Sequence, residues 1–221
     1  MKKQNKQLVS IVLLYDKNLY RNKNNDPAAL LYINKKRRLI DYHISAIKNN
    51  FTKYEIIICT GYKSGMIVDY VNKKYPEENI RFIENQLYNQ TNSNESVRLA
   101  LNNINNNNVL VISNLSRLTN SMFIERNQSK VYLMDIEKHG EVGVNIGIDG
   151  RVEYMCFGGR YAWTGAMWIN NKKTISKLKS TLSNDIGKNK LWFEAINELV
   201  NSNTKITSEI IRQKEKVEAR K

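Results

Sequence analysis

Four short apolar runs in the first half of the chain alternate with segments of helical spacing, and this alternation leaves few folds open. Leu8-Val9-Ser10-Ile11-Val12-Leu13-Leu14-Tyr15 is almost continuously apolar, as a strand covered on both faces requires. Tyr54-Glu55-Ile56-Ile57-Ile58-Cys59, Ile80-Arg81-Phe82-Ile83 and Val109-Leu110-Val111-Ile112 repeat the pattern. Between them lie Leu39, Ile40, Ile44 and Ile47, then Met66, Ile67, Tyr70 and Val71, then Val97, Leu101 and Ile104, each set at helical spacing. The second helix must stop before Pro76. A β-α-β-α-β-α-β order with short connections reads as parallel crossover units. It predicts a three-layer α/β/α fold around a mostly parallel, mixed sheet.

The second half reads differently. Residues 130–134, 141–148, 152–157 and 165–169 are strand-like, several at hairpin spacing, and Asp149-Gly150 is a hairpin-turn pair. They predict an antiparallel extension of the sheet. Helices are expected around 175–182 and 191–200, with a short strand near the basic tail. The Asn-rich run at 105–108 reads as a polar turn. Nothing has linker composition and no repeat is present, so residues 1–221 are expected to form a single domain.

Composition narrows the class. With 221 residues, 41% hydrophobic and 25% charged, the chain can build a sizeable core and is not wholly disordered. Its 2 Pro and 10 Gly exclude collagen-like and Gly/Pro-linker chains. No apolar run reaches the ~18 residues of a spanning helix. The opening Met1-Lys2-Lys3-Gln4-Asn5-Lys6 lacks the apolar core of a signal peptide. A soluble, cytoplasmic protein with no membrane partner is therefore expected. Cys59 and Cys156 are too few for a disulfide framework or a zinc cage. In that compartment the Asn-x-Ser/Thr triplets at Asn89, Asn114 and Asn127 are by-products of an Asn-rich composition.

Charge is the unusual feature. Lys plus Arg number 35 against 21 acids, a net charge of +14. Such an excess suits an anionic partner, either protein or nucleic acid. It gathers at Lys35-Lys36-Arg37-Arg38 and at the C-terminus, where Arg212, Lys214, Lys216, Arg220 and Lys221 outnumber Glu215 and Glu218. No aromatic residue is interleaved with either cluster to stack bases. An AT-rich coding bias that enriches Lys and Asn together would give the same charge with no partner.

In an open α/β sheet, ligands bind beyond the carboxyl ends of the strands, here Tyr15-Asp16, Thr60-Gly61, Glu84-Asn85 and Ser113-Asn114. The stretch from Pro27-Ala28-Ala29-Leu30-Leu31 into Leu39-Ile40-Asp41-Tyr42 resembles a sugar-nucleotidyltransferase segment. In that family, Pro-Lys-Pro-Leu leads into a helix beginning Leu-Ile-x-Tyr. Thr60-Gly61-Tyr62-Lys63 with Met66-Ile67 resembles the family's second strand-to-helix turn. Asn85, Tyr88, Thr91-Asn92-Ser93 and Ser96 resemble the Asn-x-x-Tyr…Thr-Asn-x-x-Ser stretch of the branch containing bacterial choline-phosphate cytidylyltransferases. Residues 147–169 are similar to the later strand pair, and the resemblance spans about residues 8 to 200.

The resemblance implies a nucleotide-diphospho-sugar-transferase-like, GT-A type fold. It also implies a reaction that joins an NTP to a sugar phosphate or choline phosphate and releases pyrophosphate. That chemistry is in-line attack on the α-phosphorus, with Mg²⁺ held by carboxylates. In the family a Gly-rich loop, a Pro-Lys pair and two metal aspartates serve it, and this sequence departs at all four. Tyr15-Asp16-Lys17-Asn18-Leu19-Tyr20-Arg21 contains no glycine, and Cβ atoms crowd a backbone meant to wrap a triphosphate. Pro27-Ala28 stands where Pro-Lys is expected. Ser113-Asn114-Leu115 puts a neutral amide where a hard anionic ligand is expected. Ala219 and Arg220, near the expected second aspartate, are not ligands. The departures point to a pseudoenzyme that needs no cofactor.

What is retained belongs to the nucleoside half. Thr91, Asn92, Ser93, Ser96 and Asn114 are, by resemblance, nucleotide-binding candidates, because a Ser/Asn-rich loop at a helix start offers hydroxyls and free N–H groups. Alternatively Ser93 or Asn94 only caps the helix carrying Val97, and Gly61 only supplies a turn. Trp192-Phe193-Glu194 resembles a late Trp/Tyr-Glu element of the cytidylyltransferases, which aromatic packing of a helix explains equally. His43, His139 and Cys156 have no recognisable catalytic partners, and Asp135 and Glu137 read as strand charges. The polar stretch 16–26 is expected to cover the cleft or reach outward through Lys17, Arg21 and Lys23, with Tyr15, Leu19 and Tyr20 as anchors. Three readings stand: a retired nucleotidyltransferase reused for binding or structure, a divergent active one with metal on Asp16, Asp26 or Asp135, and a basic nucleic-acid binder.

Overall fold

The apolar run that opens the chain becomes the middle of the sheet. In the computed structural model, which describes residues 7–17, 25–113, 122, 127–134 and 141–211, β1 (Val9–Leu14) is buried at every position. It pairs in parallel with β4 (Tyr54–Thr60) on one edge and β6 (Asn108–Ser113) on the other. Between β1 and β4 the described residues form a 3₁₀ turn, Ala28–Leu30, the hairpin of β2 (Tyr32–Asn34) and β3 (Arg37–Arg38), and α1 (Leu39–Asn50). Between β4 and β6 come α2 (Ser64–Lys74), β5 (Ile80–Glu84) and α3 (Ser93–Asn102). The second half supplies β7 (Lys130–Met134), β8 (Val142–Ile146), β9 (Val152–Phe157), β10 (Tyr161–Asn170), α4 (Lys172–Leu182), α5 (Asp185–Asn189), α6 (Trp192–Asn201) and β11 (Thr207–Ile211).

The strand order is β11-β7-β10-β6-β1-β4-β5, with β10 alone running against the others on that path. The antiparallel ribbon β8–β9 branches off through β10. This is the mostly parallel, mixed three-layer α/β sheet that the alternating runs predict. Side chains of β1 part to the two faces, because successive residues on a strand point opposite ways. Val9, Ile11 and Leu13 pack with Ile40, Ile44 and Ile47 of α1 and Ile67 and Val71 of α2. Val12 and Leu14 pack with Val97 and Leu101 of α3, Leu178 of α4 and Ile196 of α6. Each such burial contributes about 1.5–3 kcal/mol, so a polar residue anywhere on this strand is costly. Among the described residues no helix is long and apolar enough to cross a membrane.

The 3₁₀ turn, the β2–β3 hairpin and α5 go beyond the sequence reading. The β2–β3 hairpin is too short and too charged to show alternation. The five-residue α5 is too short to show a helical period, and it starts because Asn184 Oδ1 accepts the Gly187 N–H at 2.5 Å. Gly61 closes β4 for reasons of space. A Cβ there would stand 2.6 Å from the Asp16 carbonyl oxygen and 2.6 Å from Tyr88 Cβ. Gly61→Ala is therefore expected to lower unfolding free energy by about 1–3 kcal/mol in urea denaturation, the usual cost of overpacking. An unchanged midpoint would mean that this turn is free to shift.

Candidate active site at the end of the first strand

The chain crosses from β1 to β4 on one side and reaches β6 on the other, so the topological switch point lies between β1 and β6. Tyr15 and Asp16 leave β1 at that place. The ladder with β4 continues past the strand: the Tyr15 N–H donates to the Cys59 carbonyl at 2.9 Å, and the Tyr62 N–H donates to the Asp16 carbonyl at 2.9 Å. Strand alternation therefore persists for two more residues. Tyr15 turns toward α1, where its hydroxyl and His43 Nδ1 are 2.5 Å apart with both residues buried. Burial, then the nearby Asp41 charge, pushes the Tyr15 hydroxyl well above its ordinary pKa.

Asp16 turns toward α3 and is only 3% exposed. Ser96 Oγ donates to its Oδ2 at 2.7 Å. Asn85 Nδ2 donates to Ser96 Oγ and to Thr91 Oγ1, both at 3.1 Å, and Asn85 Oδ1 accepts the Leu87 N–H. Thr91 Oγ1 in turn donates to the Leu87 carbonyl at 2.9 Å. Burial pushes the Asp16 carboxyl above its ordinary pKa, and the hydrogen bonds from Ser96, its own backbone N–H and Asn85, with the Lys17 charge, offset only part of this. The same carboxylate, after burial itself, helps to raise the Cys59 thiol.

Lys17 bridges to the next element, its Nζ donating to Asn92 Oδ1 at 3.1 Å. Asn92 Nδ2 donates to the Asn189 carbonyl at 2.5 Å, and the Asn92 N–H to the Lys188 carbonyl at 3.1 Å. Asn94 is fully buried and donates to the Gly187 carbonyl at 3.0 Å. The start of α3 is thus clipped to α5 by amides.

The structure brings Thr91, Asn92 and Ser96 together around Asp16, with their polar atoms engaged by the protein itself. Ser93, the first residue of α3, is half-buried. Neither Ser93 nor Asn94 caps the helix. Asn92 holds the N-cap position, and its side chain makes no cap bond because it is tied to Lys17 and Asn189. Ala28, at the place of the family's lysine, is fully buried in the 3₁₀ turn. Trp192 and Phe193 pack in the core, and Glu194 Oε2 accepts the Leu191 N–H at 2.6 Å, so packing and capping account for that trio. His43 is a buried packing residue, and Cys156 is a half-buried strand residue 3.7 Å from Asn145 Nδ2. Asn114, Asp135, Glu137, His139, the segment 18–24 and the tail 212–221 lie outside the described residues.

Sequence reasoning names Asp16 as a strand end and as one of three metal candidates, and not as the buried centre of a hydrogen-bonded arrangement. The signal was present: an aspartate directly after a wholly apolar strand inherits that strand's burial. The described donor set does not fit the Mg²⁺ that the resemblance implies. At the switch point it offers one buried carboxylate already accepting a hydrogen bond from the Ser96 hydroxyl, and Mg²⁺ is bound through carboxylates and waters in open octahedral geometry. No group of three or more His, Cys, Asp or Glu able to hold a metal occurs among the described residues.

No family model matches the chain, and no curated protein matches it in sequence. Solved structures do. The CTP:phosphocholine cytidylyltransferase from Streptococcus pneumoniae superposes with a TM-score of 0.75 at 19% identity, covering 93% of this chain and 90% of that one. A putative glucose-1-phosphate thymidylyltransferase from Bacillus anthracis gives 0.73 at 15% identity, with 92% and 87% covered. The inositol-1-phosphate CTP transferase from T. maritima gives 0.70 at 14%, with 91% and 84% covered. The chain has the fold that these nucleotidyltransferases share.

Proposed function

We propose that this chain is a nucleotidyltransferase-like domain that no longer transfers nucleotides and serves as a binding or structural module, its charge of +14 suiting an anionic partner. One observation carries the reading: the Asp16 carboxylate is buried at the switch point and held by Ser96. Nucleotidyl transfer needs donors and cations around a triphosphate, because the protein's task is to position reactants and neutralise charge. Here Asp16 puts a buried acidic group at that place, its neighbour Lys17 is tied to Asn92, and Thr91, Asn92 and Ser96 are engaged internally. The absent loop glycines and the missing Pro-Lys pair point the same way.

Pyrophosphate release should not exceed the protein-free control with any of the four NTPs, choline phosphate, inositol phosphate or hexose 1-phosphates, in Mg²⁺ or Mn²⁺. Millimolar nucleotide should likewise leave the thermal midpoint unmoved, whereas a ligand at 100 times its Kd would add about 2.7 kcal/mol. Turnover that Asp16→Asn abolishes would establish the divergent enzyme instead.

Asp16 also sets a pH signature. Its folded pKa is raised, so the folded state holds a proton that the unfolded chain has already released. Its contribution to stability therefore falls as pH rises from about 4, the ordinary carboxylate value, through the raised one. Asp16→Asn removes that ionisation and keeps an oxygen for Ser96. The stability of the variant relative to wild type should increase between about pH 4 and pH 7 in urea titrations. Parallel curves would show that Asp16 does not titrate differently on folding.

A further inference from the structure

The β2–β3 hairpin forms a two-stranded sheet separate from the main one. Its turn carries Lys35 and Lys36, both exposed, and Arg37 and Arg38 follow, half-buried. None of these four cations forms an ion pair among the described residues. The guanidiniums are instead spread over tyrosines. Arg37 Cζ lies 5.3 Å from the centre of the Tyr42 ring, and Arg38 Cζ lies 5.2 Å from that of Tyr32 and 4.3 Å from that of Tyr70. Tyr32 sits opposite Arg38 in the hairpin register and is 63% exposed, and its neighbour Ile33 is 46% exposed. The aromatic partners that the sequence does not interleave with this cluster are supplied across the hairpin and from α1 and α2.

The carboxylate beneath does not cancel this charge. Asp41 accepts from Lys74 Nζ at 2.8 Å, from the Tyr70 hydroxyl at 2.8 Å and from the Tyr75 hydroxyl at 2.8 Å. The Arg38 N–H also donates to it, at 3.4 Å, which fixes the base of the hairpin on α1. Lys74 neutralises it, and the four hairpin cations remain in excess.

We propose that the β2–β3 hairpin binds single-stranded nucleic acid, with Lys35, Lys36, Arg37 and Arg38 on phosphates and Tyr32 beneath a base. An acidic protein surface would match the charges and leave the exposed Tyr32 ring unused. A duplex keeps the faces of its bases stacked away. A single strand supplies phosphates and base faces together, the pairing that cationic grooves with aromatic platforms recognise. The proposal goes beyond the catalytic reading and names the partner of a binding module. Its test measures binding, which no outcome of the turnover assay can mimic.

The test is fluorescence anisotropy with a labelled mixed-sequence RNA or DNA strand, its duplex, and polyglutamate as competitor, between about 50 and 200 mM salt. Single-strand affinity should fall with salt, with a log–log slope of about −0.7 per neutralised phosphate. Lys35→Glu/Lys36→Glu should weaken binding at least tenfold and flatten the slope by about 1.4. Tyr32→Ala should cost about fivefold or more with the slope unchanged, and Tyr32→Phe, which keeps the ring, should bind as the wild type does. Circular dichroism should be the same for all. Three results would each overturn the assignment: no binding at the lowest salt, wild-type affinity in both the double variant and Tyr32→Ala, or tighter binding of polyglutamate or duplex than of the single strand.

Discussion

The central position of β1 governs the rest of the molecule. A strand hydrogen-bonded along both edges and covered by helices on both faces has no side that can be polar without a partner. Ser10, its one polar residue, is completely buried and is satisfied by Glu55 and Asn106. The demand does not end with the strand. Because the ladder to β4 runs on through Tyr15 and Asp16, these two residues are also committed to opposite faces, one against His43 and the other against Ser96. Gly61 permits this by letting the β4 turn approach the Asp16 backbone.

That extension changes what the switch point offers. Fold alone does not bring function with it, and chemistry depends on the groups placed at the site. Here the groups satisfy one another: a carboxylate accepts a hydrogen bond from a hydroxyl, an amide bridges two hydroxyls, and a lysine holds the helix-start asparagine. Low dielectric strengthens such a closed network and penalises any member left alone. Opening it for a ligand means replacing each of these bonds. At the β2–β3 hairpin the situation is reversed, since Lys35 and Lys36 face solvent and the half-buried guanidiniums of Arg37 and Arg38 lie over tyrosine rings.

Much of the architecture was legible because it is local. The runs at β1, β4 and β6 are apolar over consecutive residues, β5 is a shorter run broken by Arg81, and the Asp149-Gly150 turn marks the β8–β9 pair. What escaped depends on residues far apart in the chain. Asp16 gains its meaning from Asn85 and Ser96, 80 positions away in the latter case. Arg38 meets Tyr70 only because α2 folds back beside the hairpin, and although Tyr32 and Tyr42 flank the cluster in sequence, nothing local shows that the guanidiniums lie over their rings. Asn92 has the composition of a cap, yet Lys17 and Asn189 take its side chain, and tertiary bonds override the local preference. Gly61 reads as a turn residue from sequence, whereas its neighbours show that the need is room.

The placement of β10 has a consequence for how the chain is assembled during synthesis. The strands β1, β4, β5 and β6 can zip together in order as they emerge, each beside a neighbour already made. β7 cannot follow them, because its place on the sheet is separated from β6 by β10, and its outer partner β11 comes later still. A nascent chain that has reached Gly150 therefore exposes the free edge of β6 and an unpaired β7, both of which invite wrong strand pairing. Only when Tyr161–Asn170 inserts between them does the second half acquire a template, and the sheet closes from its middle outward to β11.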